Sequence, residues 1–376
     1  MRSSATRLPS MSPTNHTACE RWRTISRGVE SPQSPWAGKA RDMICARPAV
    51  TAAIAGVATA LCLAALAHAQ ETAARSATGA PRTAWGTPDL QGTWTGSTIT
   101  PLERPKEYAN KPVLTPHEAA ALEARARART AAEPPVPAGD PGTYNQIWFD
   151  PSSAVVPDRR TSLIVDPPDG QIPFTPKGRE LATRSSDHYG TGPRDSHVDF
   201  DTGERCLTDG IPIPYWTGYN NNYQIVQTED HLVIFGELYH NLRVIPLDGR
   251  PRTGVPRWLG ESRGRWDKDT LIVETDGFVD KPGYWWATSW RAPRPTLRMV
   301  ERFTRIDAET IDYEFTMEDP EMFTRPWTAR LPLTTNQAAR GVTEGRLYEY
   351  ACHEANYSLV NVLRGARTKD GTGSPK

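Results

Sequence analysis

The stretch TIDYEFTME, residues 310–318, alternates without a break. Ile311, Tyr313, Phe315 and Met317 are apolar, and Asp312, Glu314, Thr316 and Glu318 between them are polar. A period of two describes an extended strand with one face buried and the other in water. The pattern recurs along the second half of the chain. YQIVQ (223–227) and HLVIFGEL (231–238) flank the turn Thr228-Glu229-Asp230, and NLRVIPL (241–247) ends at Asp248-Gly249. SRGRW (262–266) and TLIVET (270–275) flank DKD, and LRMVERFTRI (297–306) and TIDYEFTME flank DAE. PWTARLPL (326–333) and RLYEYACHE (346–354) complete the series. Strands at this spacing predict a mainly all-β fold, an antiparallel barrel or sandwich. A meander of hairpins favours the barrel, because closure removes exposed edges.

Ahead of the meander, Gly92-Thr93-Trp94 resembles the G-x-W start of lipocalin and calycin barrels, which makes a lipocalin-like β-barrel the expected form. Residues 115–133 read as a helix, with Thr115 as N-cap, Pro116 at the first helical position and Glu118 closing a capping box. Its alanines and charges suit a surface position. The layout expected is a removable segment 1–69, a lead-in 70–87 and one β-rich domain 88–368. Within that domain an irregular part, 88–218, precedes the meander 219–354, and 369–376 form a disordered tail.

Residues 47–70 place Arg47 before an apolar run that ends in Ala67-His68-Ala69, then Gln70. A charged start, an apolar run and an A-x-A triplet describe a secretory signal peptide, so a periplasmic or secreted protein without lasting membrane insertion is expected. Met43 is a natural start, which makes residues 1–42 an upstream extension. Without residues 1–69 the chain holds 36 basic and 41 acidic residues, a mildly acidic balance with no footprint for nucleic acid. Only Cys206 and Cys352 of the five cysteines then remain, and in an oxidising compartment they are expected to pair. A thiolate role for Cys352 beside His353 is the competing reading.

Four groups are candidates for chemistry. In GELYHNLRV (236–244), Glu237 and His240 are the expected base and acid, with Arg243 beside them. On an unbroken strand they face opposite ways, so the pairing needs a bulge, for which Gly236 is suited. The competing reading is a tight hairpin with His240-Asn241 at its tip. His353 is a third catalytic candidate. If 347–353 is a strand, His353 and Glu354 point to opposite faces. With no H-x-H, H-E-x-x-H or C-x-x-C spacing after residue 69, no metal is expected, and neither is a cofactor. PYWTGYNNNYQ (214–224) and PGYWWATSW (282–290) are rich in rings and amides, and Tyr219, Asn221, Tyr223, Trp285 and Trp286, together with Arg243, are expected to contact a ligand. Arg325 is expected to meet Asp319 or an anionic ligand.

DRRTSLIVDPPDG, GYNNNYQIVQT, GESRGRWDKDTLIVET, VERFTRIDAETIDYEFTMEDP, TRPWTARLP and YEYACHEANYSL together resemble a family of uncharacterised secreted bacterial proteins. The likeness runs from about Trp85 to Arg367. It implies export and one shared domain, and it assigns no catalytic residue. From the residues themselves, the expected function is cofactor-free acid–base chemistry, of isomerase, hydratase or lyase type, on a small sugar, aromatic or terpenoid ring. A non-catalytic ligand-binding protein and a metal-dependent hydrolase are the alternatives.

Overall fold

The computed structural model describes residues 79–132, 152–208, 210–215, 219–281, 289–338, 347–354, 357–369 and 371. The signal-peptide segment, Trp285 and Trp286 lie outside them.

Among the described residues, eleven strands form one antiparallel sheet. They are β1 (Gly92–Thr95), β2 (Ile164–Asp166), β3 (Asn222–Gln227), β4 (His231–Gly236), β5 (Asn241–Pro246), β6 (Glu261–Asp267), β7 (Thr270–Asp276), β8 (Arg298–Arg305), β9 (Thr310–Glu318), β10 (Trp327–Arg330) and β11 (Leu333–Thr334). Their order is β5-β4-β3-β1-β11-β9-β8-β7-β6, and β10 pairs with both β9 and β2. Two meanders, β3–β5 and β6–β9, are thus joined edge to edge through β1 and β11. The alternation in β9 is realised in full, with Ile311, Tyr313, Phe315 and Met317 all completely buried.

The backbone ladder does not close into the expected ring. Its terminal strands β5 and β6 meet through side chains instead. Gly264 on β6 packs so closely on β5 that a Cβ there would lie 2.5 Å from Leu247 and 3.1 Å from Ile245. Arg243 on β5 donates to Ser262 on β6 at 3.1 Å and to Thr275 on β7 at 3.2 Å. The same guanidinium pairs with Glu301 on β8, whose carboxylate also accepts the Tyr313 hydroxyl at 2.8 Å. Arg243 and Glu301 are both buried, so the curled sheet encloses an ion pair hydrogen-bonded to three other strands and to the Ile213 carbonyl, which accepts from Arg243 at 2.7 Å. Burial, then the Glu301 carboxylate, pushes the Tyr313 phenol well above its usual range.

The G-x-W tryptophan is structural. Trp94 is fully buried, its ring donates to the Leu90 carbonyl at 3.0 Å, and the Arg305 guanidinium lies over it at 4.5 Å. Helix α1 (Pro116–Ala132) begins with the expected capping box, in which Glu118 Oε2 accepts the Thr115 N–H at 2.9 Å. Two further helices occur among the described residues. In α2 (Pro176–Thr191), Thr175 caps the Gly178 N–H at 2.8 Å, the same Thr-Pro device as at 115–116. The third is α3 (Ser358–Lys369). Among the described residues no helix is long and apolar enough to cross a membrane.

Two strand assignments are corrected. Residues 326–333 break at Leu331-Pro332 into β10 and β11, as a proline without an N–H requires. Of the stretch expected as a last strand, 347–350 have no regular structure and 352–354 form a turn. The strict alternation that separated His353 from Glu354 is therefore absent.

Candidate functional site at the strap

The segment 347–354 crosses the outer end of the β4–β5 hairpin as a strap. The ladder ends with Gly236 opposite Asn241, so Glu237 to His240 form the connecting turn and no bulge forms at Gly236. Tyr239 and His240 adopt left-handed backbone, with φ of 56° and 49°. Cys206 (φ 54°) and Asn220 (φ 51°) do the same close by. Non-glycine residues are uncommon in this region, and such conformations gather where geometry serves a site.

Three links hold the strap. Cys352 forms a disulfide with Cys206, their Cα atoms 5.7 Å apart. The Tyr348 N–H donates to Glu237 Oε1 at 2.7 Å. The Tyr350 N–H donates to His240 Nε2 at 3.2 Å, and the Tyr350 ring meets the Tyr239 ring edge-on at 4.9 Å. Between strap and hairpin lies an open groove of about 290 Å³, lined by Cys206, Tyr239, His240, Glu349, Tyr350, Ala351, Cys352, His353 and Glu354. Two imidazoles, two carboxylates and two phenol rings thus share one concavity.

Glu237 stands behind the groove rather than in it. Only 1% exposed, it accepts the Asn222 amide at 3.2 Å, and Asn222 accepts Gln337 at 2.9 Å. Burial raises its carboxyl above the usual range, against the pull of the Tyr348, Asn220 and Asn222 donors. It anchors the strap and cannot reach a molecule in the groove without leaving these partners.

His240 is at the hairpin tip, as the competing reading had it, yet it also lines the groove. Its Nε2 lone pair is occupied by a backbone N–H, so the neutral ring carries its proton on Nδ1 and presents a donor. His353, Glu349 and Glu354 are exposed on the strap.

The remaining expected residues lie elsewhere. Tyr223 is buried in the core, and its hydroxyl donates to the Tyr215 carbonyl. Arg243 belongs to the enclosed ion pair, and Asn221 is fully buried. Tyr219 does not line the groove. Arg325 pairs with Asp166 on the surface, while the nearest cation to Asp319 is Arg294 at 4.0 Å. Tyr239, Glu349, Tyr350 and Ala351 are groove residues that sequence reasoning missed. Tyr239 depends on Gly203, where a Cβ would come 2.6 Å from its hydroxyl. Among the described residues no three His, Cys, Asp or Glu side chains are placed to share a metal ion.

The chain matches no known family model, no curated protein and no solved structure.

Proposed function

We propose that the strap groove is an acid–base site acting on a small ring-bearing molecule, of isomerase, hydratase or lyase type. The observation that carries this reading is the convergence of His240 and His353 with Glu349 and Glu354 on a groove bordered by left-handed backbone at Cys206, Tyr239 and His240. Cys352 is bonded to Cys206, so a thiolate nucleophile is not on offer there. With the His240 Nε2 engaged, the division of labour differs from the one expected of the sequence. His353 takes and returns the proton, and the Nδ1–H of His240 orients or polarises a substrate oxygen. Tyr239 and Tyr350 border the ring. The disulfide is compatible with an exported protein, and export belongs to this proposal.

The test is an untargeted small-molecule profile of a cell extract incubated with pure wild-type protein and with His353→Ala. Conversion of a ring compound by the wild type alone supports the proposal. Binding without conversion by either protein supports the carrier reading. Equal conversion by both proteins moves the chemistry away from the strap.

A further inference from the structure

The outer face of the sheet has two characters. Across β6–β9 the outward positions are largely charged and face opposite charges. Arg298 reaches Glu274 at 3.1 Å, and Arg302 lies opposite Glu314. That is the ordinary composition of a sheet face in water. Across β3–β5 the register instead aligns Gln224–Phe235–Leu242 in one row and Val226–Val233–Val244 in the next. Five of these six outward residues are apolar, with Val226 44%, Leu242 55% and Val244 52% exposed. Neighbouring strands are about 5 Å apart and like-facing residues about 7 Å apart along a strand, so these side chains form a continuous shelf rather than scattered spots.

The shelf begins where the groove ends. The Phe235 ring centroid lies 6.5 Å from that of His240, a groove residue, and Leu242 follows His240 by two residues on the same chain. We infer that the shelf receives the hydrocarbon part of the molecule whose ring occupies the groove. The ligand is then an amphipathic ring compound, an aryl or terpenoid molecule with an apolar extension, and not a sugar. This rests on the reading of the groove as a ligand site. Two arguments select this occupant. Five side chains on three strands offer on the order of 200 Å², far short of the roughly 800 Å² per partner of a stable protein interface. A sugar laid on the shelf would lose water from its hydroxyls against valine and leucine, with only the Gln224 amide in return. An apolar wall beside a few polar groups is the ordinary composition of a small-molecule site.

The experiment measures binding of phenol, 4-butylphenol and 4-octylphenol to the full chain by titration calorimetry. Each methylene covered by the shelf tightens binding about three- to fourfold, so 4-butylphenol binds at least thirtyfold more tightly than phenol. Replacing Leu242 and Val244 together by serine, on outward positions that leave the core intact, reduces that ratio to below threefold. His353→Ala weakens all three probes by a similar factor and preserves the ratio. Phenol binding with no gain from the alkyl chain overturns the shelf and leaves the groove standing. So does a gain that the serine variant retains. An alkyl gain lost in the serine variant but indifferent to His353→Ala keeps the shelf and overturns its link to the groove. Failure of all three probes to bind, or a change in solution mass caused by the serine variant, overturns the inference.

Discussion

The backbone N–H of Tyr350 donates to Nε2 of His240 across 3.2 Å, tying the strap to the hairpin tip through an imidazole ring. A backbone amide can only donate here, so the bond selects the tautomer with its proton on Nδ1. Long-range nitrogen-15 NMR of the neutral ring should show Nε2 of His240 unprotonated and Nδ1 protonated. The opposite tautomer would remove the donor role assigned to this residue. His240→Ala should lower turnover less than His353→Ala, whose loss should cost on the order of a hundredfold, the usual contribution of a proton-transfer group.

The Cys206–Cys352 bond closes a loop with a sequence separation of 146. Chain entropy assigns about 5 kcal/mol to a loop of this size, an upper figure because native strain and residual unfolded structure reduce it. Thiol titration of denatured, non-reduced protein lacking residues 1–69 should find no free thiol. Replacing both cysteines by serine should lower the denaturant midpoint and weaken phenol binding, since six of the nine groove residues sit on the strap that the bond holds.

Removing Arg243 alone should be among the most damaging single changes. Arg243→Met strands the Glu301 carboxylate in a dry interior, at a cost of about 3–5 kcal/mol. Replacing Arg243, Glu301 and Tyr313 together by Met, Leu and Phe should recover much of that loss, because no charge or hydroxyl is then left unpaired. Chemical denaturation of the two variants checks this. A triple variant no more stable than the single one would mean that the pair shapes the core by its volume.

Two carboxylates give pH dependences of opposite sign. Burial raises the Glu261 carboxyl, but Thr253 and Arg263 outweigh burial and bring it down to about 2 from 4.5. The stability it contributes is present above pH 4.5 and is lost as pH falls toward about 2. Glu237 runs the other way. Its carboxyl is raised above 4.5, so its contribution is present below pH 4.5 and is lost as pH rises through its native value. In denaturation curves across pH, Glu261→Gln should flatten the acid limb, and Glu237→Gln should flatten the decline above pH 4.5.

Gly203 sets the position of Tyr239. Gly203→Val should push the phenol toward the groove and weaken 4-butylphenol binding severalfold. The Tyr239 ring and the Asp201 carboxylate, 3.2 Å from the added Cβ, both have to give way, so the melting temperature should fall as well. Unchanged binding would show that Tyr239 does not border the ligand.

The strands were legible because period-two alternation answers to one physical demand, a face in water and a face in the core. Ile311 to Met317 satisfy it in sequence and in space alike. The gap in the ladder between β5 and β6 was not legible. The seam between β5 and β6 is set by Gly264 and by the reach of Arg243, and neither leaves a periodic signal. Helix α2 was within reach, since Thr175-Pro176 repeats the Thr115-Pro116 device that revealed α1. At the site, His240, His353 and the cysteine pair stood out by residue type. The role of Tyr350 did not, because a backbone donor looks the same at every residue. Tyr223 and Arg243 misled for a related reason: a ring or a guanidinium that serves the core has the same letters as one that serves a ligand.

The strap also sets an order of events in the life of the chain. A ribosome produces all eleven strands, and with them Glu237 and His240, before it reaches Tyr348, Tyr350, Cys352 and His353. The sheet can therefore fold around its Arg243–Glu301 pair while the groove does not yet exist. Any activity that the groove supports is withheld from the nascent protein until the strap arrives and is fastened in place.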